Sequence, residues 1–452
     1  MISILLSIHK GTLPLALILT ILLAVSLIPA RASSPDVRPA GQRKVERADR
    51  AGKQKSLTLT AAGDEEYRLW SGGSGLRGAN VWLKVRGESD YEVPKARGYL
   101  YPTYELEDFR KLRAWGANYV SFSCPGVYGV QAPHRYDESA MKALRGLIEL
   151  AGEAGLYASV AFRTGPLSVE DRFHTSVPSA MWGGGSAAGA ARRKWVEMWG
   201  RAASELQGLT NVVGYELMVE PDAPNPDDWN RLAADIIRSV RRADRVTPVI
   251  IGGARAEGDG SSADALERVG TFDDPYVVYT VHQYRPNVYA QQEEFEAKFE
   301  SLLSYPCPPP VTLMPPEAEK VVVGYKDCGE PGCRALMQAA YKLVDGWREG
   351  RRRKTGALPT VAVTETGVVR WSPEADEFLR HQFEEINSRN FNYALWRWGP
   401  GPTRCTGDDT FDLRRGHDFK LHEVDEGEGN RLKAVVTKDW EKNKIFAPGA
   451  IR

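Results

Sequence analysis

Short apolar runs alternate with longer segments of helical periodicity between residues 76 and 398. The run from Thr360 to Gly367 shows the first pattern, because apolar and threonine side chains precede a glutamate and a glycine. The segment from Glu105 to Trp115 shows the second, because its apolar side chains recur every three or four residues. The pattern predicts strands at residues 76–82, 118–124, 157–163, 212–220, 248–253, 276–284, 360–367 and 391–398.

A helix or helix-like segment follows nearly every predicted strand. This alternation predicts a (β/α)8 TIM barrel, with a Pro- and Cys-containing insertion at residues 285–333 after strand six. The nearly continuous apolar strands favour parallel strands covered on both faces. A doubly wound open sheet is the alternative. It lacks support, because Arg77-Gly78-Ala79-Asn80 occupies the place of a Gly-rich phosphate loop.

The composition is that of a folded protein without a general affinity for polyanions. Of the 452 residues, 42% are hydrophobic and 26% charged, and the formal net charge is zero. A zero net charge argues against a general nucleic-acid or anionic-membrane binder. The twelve tryptophans and eighteen tyrosines can form stacking platforms for the apolar faces of sugar rings.

Four regions follow from the pattern. Residues 1–32 hold an apolar run behind Lys10 and the small-x-small sequence Ala30-Arg31-Ala32, so they predict either a cleaved signal peptide or an uncleaved membrane anchor. Residues 33–60 predict a flexible linker, residues 61–400 the catalytic barrel, and residues 401–452 a loop-rich extension packed on the barrel.

The cysteines fit an exported chain. The predicted insertion contains Cys307, Cys328 and Cys333, so we expect two of these to pair, with Cys405 as a further candidate. Cys124 ends the second predicted strand and is expected to be a buried apolar residue rather than a nucleophile.

The side chains at the predicted strand ends are polar and chemically distinctive. In a TIM barrel, the carboxyl ends of the strands face one shared pocket. The candidates for that pocket are two glutamates and their neighbours, namely Asn80, Trp82, Arg163, Glu220, His282, Tyr284, Glu365, Trp396 and Trp398. Glu220 and Glu365 on two strand ends suit the acid/base and the nucleophile of a glycosidase.

The sequence resembles the retaining glycoside hydrolases of clan A, most nearly the family 5 cellulase and mannanase group, over about residues 74–400. The motifs that carry the resemblance are Leu76-Arg77-Gly78-Ala79-Asn80, Val219-Glu220-Pro221, His282-Gln283-Tyr284, Thr364-Glu365-Thr366-Gly367, and Trp396 or Trp398. The resemblance implies that Glu220 is the acid/base and Glu365 the nucleophile, that Tyr284 steadies Glu365, and that His282 lines the reacting subsite.

Three positions depart from that group. Val219 stands where the group usually has Asn, and Ser121-Phe122-Ser123-Cys124 supplies no strand-two Arg. Arg163 stands where a His is common, in a segment similar to one in clan A β-galactosidases. The substrate is therefore less well defined than the mechanism. Arg163 is our candidate for the hydrogen-bond donor that Val219 cannot supply.

The expected reaction is hydrolysis of a β-linked glucan or mannan with retention, by a monomer that requires no metal or organic cofactor. Two alternatives from other classes remain: a sugar-binding barrel with weak or lost catalysis, and a metal-dependent barrel hydrolase. An exo-acting β-glycosidase of the same clan is a third possibility. The metal-dependent enzyme would need further His and Asp ligands near His282.

Overall fold

The computed structural model describes residues 61–73, 75–85, 100–101, 103–169, 177–255, 261–291, 305, 332–401, 410–415 and 430–447. Eight strands form a barrel: β1 Arg77–Trp82, β2 Tyr119–Pro125, β3 Tyr157–Thr164, β4 Val212–Glu216, β5 Val249–Gly252, β6 Val277–His282, β7 Val361–Thr366 and β8 Asn392–Leu395. The helices are α1 Ala61–Ser71, α2 Leu106–Ala114, α3 Glu138–Glu153, α4 Gly185–Leu206, α5 Pro226–Ala243, α6 Asn287–Ala290, α7 Gly332–Thr355, α8 Ala375–Ser388 and α9 Arg431–Trp440.

The barrel closes through parallel pairs between strands that are neighbours in sequence. The closing pair joins β1 to β8, with Gly78 opposite Ala394, and β1 pairs with β2 on its other side. Short 3-10 helices at Ala180–Trp182 and Asp264–Arg268 and a small antiparallel pair, Lys84–Val85 with Leu100–Tyr101, complete the described elements. The predicted (β/α)8 barrel is confirmed.

Local signals in the sequence set the helix starts. The Asp137 side chain accepts a hydrogen bond from the Ala140 N–H at the start of α3, and the Asn225 side chain accepts one from the Asp227 N–H at the start of α5. Pro226 is the first residue of α5, where a missing N–H costs nothing. The apolar sides of α3, α4 and α5 pack around the barrel wall.

Helix α1 lies at the amino-terminal end of the strands, and the pattern of the sequence does not predict it. Its Trp70 is buried and donates from Nε1 to the Val213 carbonyl at 2.7 Å. Tyr67 of α1 donates to the Val277 carbonyl at 3.1 Å. Trp70 belongs to an apolar layer with one residue at the start of each barrel strand: Leu76, Tyr119, Tyr157, Val213, Ile250, Val278, Ala362 and Ala394.

Three strands end two or more residues earlier than predicted. Strand β4 ends at Glu216 rather than at Glu220, because the chain leaves the ladder there. The chain beyond Glu216 still runs beside β5 and β3. The Leu217 N–H donates to the Ile250 carbonyl, and the Val219 N–H donates to the Phe162 carbonyl. Strands β6 and β8 end at His282 and Leu395, so Tyr284, Trp396 and Trp398 lie on the segments that follow these strands.

The described part of the C-terminal region packs on the barrel. Helix α9 contacts α8, and the buried Asp439 accepts a hydrogen bond from the Tyr393 hydroxyl at 2.6 Å. Cys124 is free and buried, as predicted. The predicted leader, the linker, most of the predicted insertion and the proposed disulfides lie outside the described residues. Within the described ranges, no helix is long and apolar enough to cross a membrane.

Candidate active site

His282 stands at the centre of a cluster of carboxylates at the carboxyl end of the barrel. Its Nδ1 lies 2.8 Å from Glu220 Oε1 and 3.4 Å from Glu365 Oε2. Its Nε2 lies 3.4 Å from Glu216 Oε1. Burial opposes the charged imidazole, but the three glutamates outweigh it and raise the pKa of His282 well above its ordinary value. These carboxylates therefore favour the imidazolium form of His282, which joins Glu216 of β4 to Glu365 of β7.

The two glutamates predicted from the sequence come together. A carboxylate oxygen of Glu220 and one of Glu365 lie within 4.8 Å of each other. Carboxyl groups about 5–5.5 Å apart are typical of retaining glycosidases, whereas inverting enzymes separate them by about 6.5–9.5 Å. Near oxygens at this distance fit the shorter, retaining separation of the two carboxyl groups, in which one carboxylate attacks the sugar directly.

The loop that carries Glu220 is held in an uncommon conformation. Glu220 has φ of 44°, in the left-handed region that non-glycine residues rarely adopt. The buried Asp222 fixes the chain just beyond it by accepting hydrogen bonds from the Ser179 N–H at 2.6 Å and from Trp182 Nε1 at 2.6 Å. The loop therefore directs the Glu220 carboxylate toward His282.

Glu365 lies within β7 and is only 6% exposed. Burial raises its pKa to about 7, and the cations His282 and Arg163 oppose that rise. The Tyr284 hydroxyl donates to Glu365 Oε2 at 3.3 Å, and Arg163 Nη1 lies 3.5 Å from Oε1. The predicted contact between Tyr284 and Glu365 is thus present.

Arg163 spans the rim from β3. It donates to the Ser123 hydroxyl at 3.3 Å, and its guanidinium lies 5.0 Å from the ring centre of Trp396. Ser123 belongs to the part of β2 where the resemblance leads one to expect an arginine. The positive charge that β2 does not supply therefore reaches Glu365 from the neighbouring strand.

Glu216 is a member of the cluster that the sequence analysis missed. It ends β4, is only 1% exposed and contacts His282 from the side opposite Glu220. The signal for it was a glutamate inside an otherwise apolar strand, four residues before Glu220. A carboxylate in such a strand needs a buried partner, because an unpaired buried charge is costly.

The remaining predicted residues divide between rim and wall. Trp82 and Trp396 lie at the rim with ring centres 5.9 Å apart. Trp398 is fully buried, stacks edge-on against Trp115 and donates to the Asp108 carbonyl. Trp398 therefore packs the barrel wall against α2, which corrects its assignment as a substrate residue.

Asn80 is buried inside the barrel. Its amide nitrogen donates to the Thr364 carbonyl at 2.9 Å and also approaches the carbonyls of Ala394 and Leu395. These contacts tie β1 to β7 and β8 beneath the rim. A contact between Asn80 and a substrate stays a prediction.

One group of possible metal ligands occurs among the described residues. It consists of Glu220, His282 and Glu365, whose ligand atoms lie within 4.8 Å of one another. A metal ion would require a neutral His282, whereas the surrounding carboxylates favour the imidazolium. Arg163 adds a second positive charge beside Glu365. These three side chains are therefore better suited to exchanging protons with one another than to binding a metal ion.

A protein family model and curated relatives match parts of this chain. The family model "Cellulase (glycosyl hydrolase family 5)" matches residues 90–402. Endoglucanase C of Acetivibrio thermocellus is 28% identical over 102 residues, and endoglucanase C307 of Clostridium sp. (strain F1) is 26% identical over 102 residues. Each alignment covers 23% of this chain and 29% of the relative, so the chain spans less than a third of the curated relatives that it matches.

Solved structures share the fold at low sequence identity. The endoglucanase Cel5A of the hyperthermophilic Thermotoga maritima has a TM-score of 0.57 and 16% identity, over 83% of this chain and 99% of that one. The cellulose synthase subunit Z of Clostridioides difficile has a TM-score of 0.53 and 15% identity, over 79% of this chain and 99% of that one. At these identities the likeness shows the barrel fold alone.

Proposed function

This chain belongs to glycosyl hydrolase family 5, and on that premise we propose that it is a retaining β-glycosidase that cleaves β-linked glucan or mannan. The observation that carries the proposal is the approach of the Glu220 and Glu365 carboxylates to within 4.8 Å. Near oxygens at that distance support double displacement, for which the carboxyl groups lie about 5–5.5 Å apart.

Glu365 is the nucleophile in this proposal. Its ionised oxygen attacks the anomeric carbon, forms a covalent glycosyl-enzyme and displaces the leaving oxygen, which takes the proton of Glu220. Arg163 at 3.5 Å and His282 at 3.4 Å favour the ionised form of Glu365. Glu220 then removes a proton from water, and the resulting hydroxide equivalent attacks the anomeric carbon and releases Glu365.

Glu216 and Tyr284 are positioning residues. Glu216 holds His282 from behind, so the imidazole keeps its orientation toward both reacting carboxylates. The Tyr284 hydroxyl holds one oxygen of Glu365 and leaves the other facing Arg163. These contacts fix the carboxylates before substrate binds, which reduces reorganisation during the reaction.

The substrate class rests on the family and on the rim tryptophans. Structures of Thermotoga maritima Cel5A have been solved with cellobiose and with mannotriose. Here Trp82 and Trp396 supply aromatic surface beside the carboxylates. We propose that a β-linked glucan or mannan binds along them, and that the chain is exported, because an apolar run follows Lys10.

A product screen with stereochemical analysis tests the proposal. The protein is incubated with β-glucan, β-mannan, xylan and aryl glycosides, and the first product is examined by proton NMR before it mutarotates. We expect β-anomers from glucan or mannan; α-anomers would contradict the retaining mechanism. Binding of the same glycans without any hydrolysis would support the sugar-binding alternative. Activity that chelation abolishes and a divalent metal restores would support the metal-dependent alternative.

A further inference from the structure

Residues 410–415 pair with the chain that leaves β8. The Arg397 N–H donates to the Phe411 carbonyl, and the Leu413 N–H donates to the Arg397 carbonyl, each at 3.0 Å. These residues, which we name the rim segment, follow β8 and precede α9 in the chain. The family model matches residues 90–402, so the rim segment stands beyond the matched part. Main-chain hydrogen bonds nevertheless place it at the carboxyl end of the barrel.

Buried charged side chains anchor the rim segment. Asp412 Oδ1 accepts hydrogen bonds from the Gly399 N–H at 2.9 Å and from the Arg414 N–H at 3.1 Å. Arg414 Nη1 donates to Asp108 Oδ1 of α2 at 2.8 Å, and both side chains are almost completely buried. A buried ion pair is costly to break, because it leaves an uncompensated charge. These contacts therefore give the side chains of the rim segment a defined position.

The Phe411 ring packs against a residue of the proposed active site. It meets the Tyr284 ring edge-on, with ring centres 6.3 Å apart and an angle of 77° between the ring planes. It also lies beside Gly367, where an added Cβ would come within 3.4 Å of Phe411 Cδ1. Both rings are buried. Edge-on pairs stabilise aromatic rings beyond their loss of solvent contact, so Phe411 restricts where the Tyr284 ring can lie.

The position of the Tyr284 ring matters because of one hydrogen bond. Its hydroxyl donates to Glu365 Oε2 at 3.3 Å, whereas about 2.7–2.8 Å is usual between a hydroxyl and an oxygen acceptor. Burial raises the pKa of Tyr284 well above its ordinary value, so the hydroxyl keeps the proton that it donates. A long hydrogen bond is lost after a small further displacement of the ring.

We propose that Phe411 is a positioning residue whose ring holds Tyr284 against the nucleophile Glu365, so that the rim segment completes the active site. This inference rests on the proposed function for the role of Glu365. It deepens that function by adding a residue from beyond the part of the chain that the family model matches. Phe411 acts on the reaction through Tyr284.

The pH dependence of kcat/KM tests this role. The Tyr284 hydrogen bond favours the ionised form of Glu365, so weakening it should raise the pKa of Glu365. In Phe411→Ala the acidic limb should move to higher pH by about half a unit. We expect kcat/KM to fall about threefold at its optimum and about tenfold on that limb, since half a pH unit adds a factor of about three. The variant leaves in place the other charged groups around Glu365, namely Arg163, His282, Glu216 and Glu220.

A double-mutant cycle shows whether Phe411 acts through Tyr284. Tyr284→Phe keeps the ring but removes the hydroxyl, so Phe411→Ala in that background should displace the acidic limb no further. An equal displacement in both backgrounds would overturn the proposal. An acidic limb that Phe411→Ala leaves at its original pH would overturn it as well.

Two further variants control for lost packing. Phe411→Leu retains a large apolar side chain, so it should fold even where Phe411→Ala does not, and it should displace the acidic limb in the same direction. Phe383 of α8 is buried and packs on Tyr393 with ring centres 5.3 Å apart. Phe383→Ala should lower the melting temperature and leave the limb in place. A folded Phe411→Leu protein with an unchanged limb, or an equal displacement in Phe383→Ala, would refute the positioning role.

The positioning role and the proposed function can fail separately. Hydrolysis with retention, together with an acidic limb that ignores Phe411→Ala, would refute only the positioning role. Without any hydrolysis the glycosidase is refuted, and the pKa of Glu365 is then followed directly by carbon-13 NMR of its carboxyl group, which Glu365→Gln identifies by the loss of its signal. A rise of that pKa in Phe411→Ala would support the positioning role, and an unchanged pKa would refute it.

Discussion

The two ends of the barrel are built from the same eight strands but have opposite chemistry. At the amino-terminal end, Trp70 and Tyr67 of α1 cover a layer of apolar side chains and donate to main-chain carbonyls. At the carboxyl end, the His282 imidazole contacts the carboxylates of Glu220 and Glu365. The first end is covered by α1 and is mainly apolar, and the second is charged.

The residues that stabilise the fold and the residues proposed to react therefore lie at different ends of the barrel. Apolar burial with satisfied hydrogen bonds stabilises the fold, whereas buried carboxylates and a left-handed Glu220 cost free energy. TIM barrels place catalytic groups at the carboxyl ends of their strands, so this chain concentrates that cost where a substrate binds. Substitutions at the two ends should therefore have opposite consequences.

The largest expected effect is on turnover at the charged end. Glu365→Ala should lower kcat by about 10⁴-fold or more, because the covalent route disappears. The variant removes the Glu365 contacts of the buried Arg163 and His282, so melting curves show whether it is folded. Azide should restore part of the activity and yield a glycosyl azide of inverted configuration. An activity within tenfold of the unmodified protein would exclude Glu365 as nucleophile.

The second effect depends on the leaving group. Glu220→Ala should reduce hydrolysis of polysaccharide by about 10²–10⁴-fold, because the leaving oxygen needs a proton. Dinitrophenyl glycosides leave without that proton, so the first step with them should be largely preserved. Burst kinetics with both substrates make the comparison, and equal losses would contradict the acid/base role.

A substitution at the amino-terminal end of the barrel should lower stability and leave turnover unchanged. Trp70→Ala should lower the free energy of unfolding by about 3–5 kcal/mol, because a fully packed ring and its hydrogen bond are lost. Its kcat well below the melting temperature should be unchanged. Trp70→Phe, which keeps an aromatic ring, should be less destabilising. A large fall in kcat for a folded Trp70→Ala protein would show that the two ends are coupled.

Glu216 tests whether the charged cluster acts as a unit. In Glu216→Gln the pKa of His282 should fall, since one of the carboxylates that raise it is gone. The alkaline limb of kcat/KM should move to lower pH, with a loss on the order of tenfold at neutral pH. The exposed Glu153→Gln is the control. A uniform loss with no displacement of the pH profile would indicate a purely structural role.

The smallest expected effect is on the pH dependence of stability, and it involves two glutamates at opposite ends of the barrel. Burial, together with the charge of Asp244, raises the pKa of Glu66 to about 7, and burial raises that of Glu365 to about 7. Between the ordinary pKa of 4.5 and about 7, the folded protein holds protons that the unfolded chain has released. Each glutamate therefore makes stability fall as the pH rises through this window.

Glu66→Gln should remove the part of the fall in stability with rising pH that Glu66 causes. The gain in melting temperature over the unmodified protein should grow between pH 4.5 and about 7 and stay constant above, with kcat unaltered. Glu365→Gln should show a gain of the same sign but lose activity. Melting curves across this pH range, with activity assays at each pH, make the measurement. A Glu66→Gln gain that does not change with pH would contradict the raised pKa.

The fold and the positions of Glu220 and Glu365 at the carboxyl end of the barrel could be predicted, because each depends on local sequence. Apolar runs defined the strands, and Glu220 and Glu365 stood where those runs met loops. Helix α1 could not be predicted in this way, because it has few apolar positions and its Trp70 is stabilised by residues from every strand. Its position is a tertiary property of the closed barrel.

The direction in which a side chain points was harder to predict than its position along a strand. Alternation along the chain could not decide which of Trp396 and Trp398 faces the rim, since the chain leaves β8 at Leu395 before either residue. The role of Glu216 depended on the side chain of His282, which comes from a strand two places along the barrel. Such contacts are determined by the closure of the sheet, not by the pattern of any single strand.

Trapping of the covalent intermediate tests the central claim most directly. The protein is treated with 2-deoxy-2-fluoro-β-glucosyl and β-mannosyl fluorides, with cellobiosyl and mannobiosyl forms included, and then digested for mass spectrometry. We expect one added glycosyl group on the peptide that contains Glu365, and none in Glu365→Gln. A label on Glu220 or on any other residue, or continued hydrolysis of polysaccharide by Glu365→Gln, would contradict it.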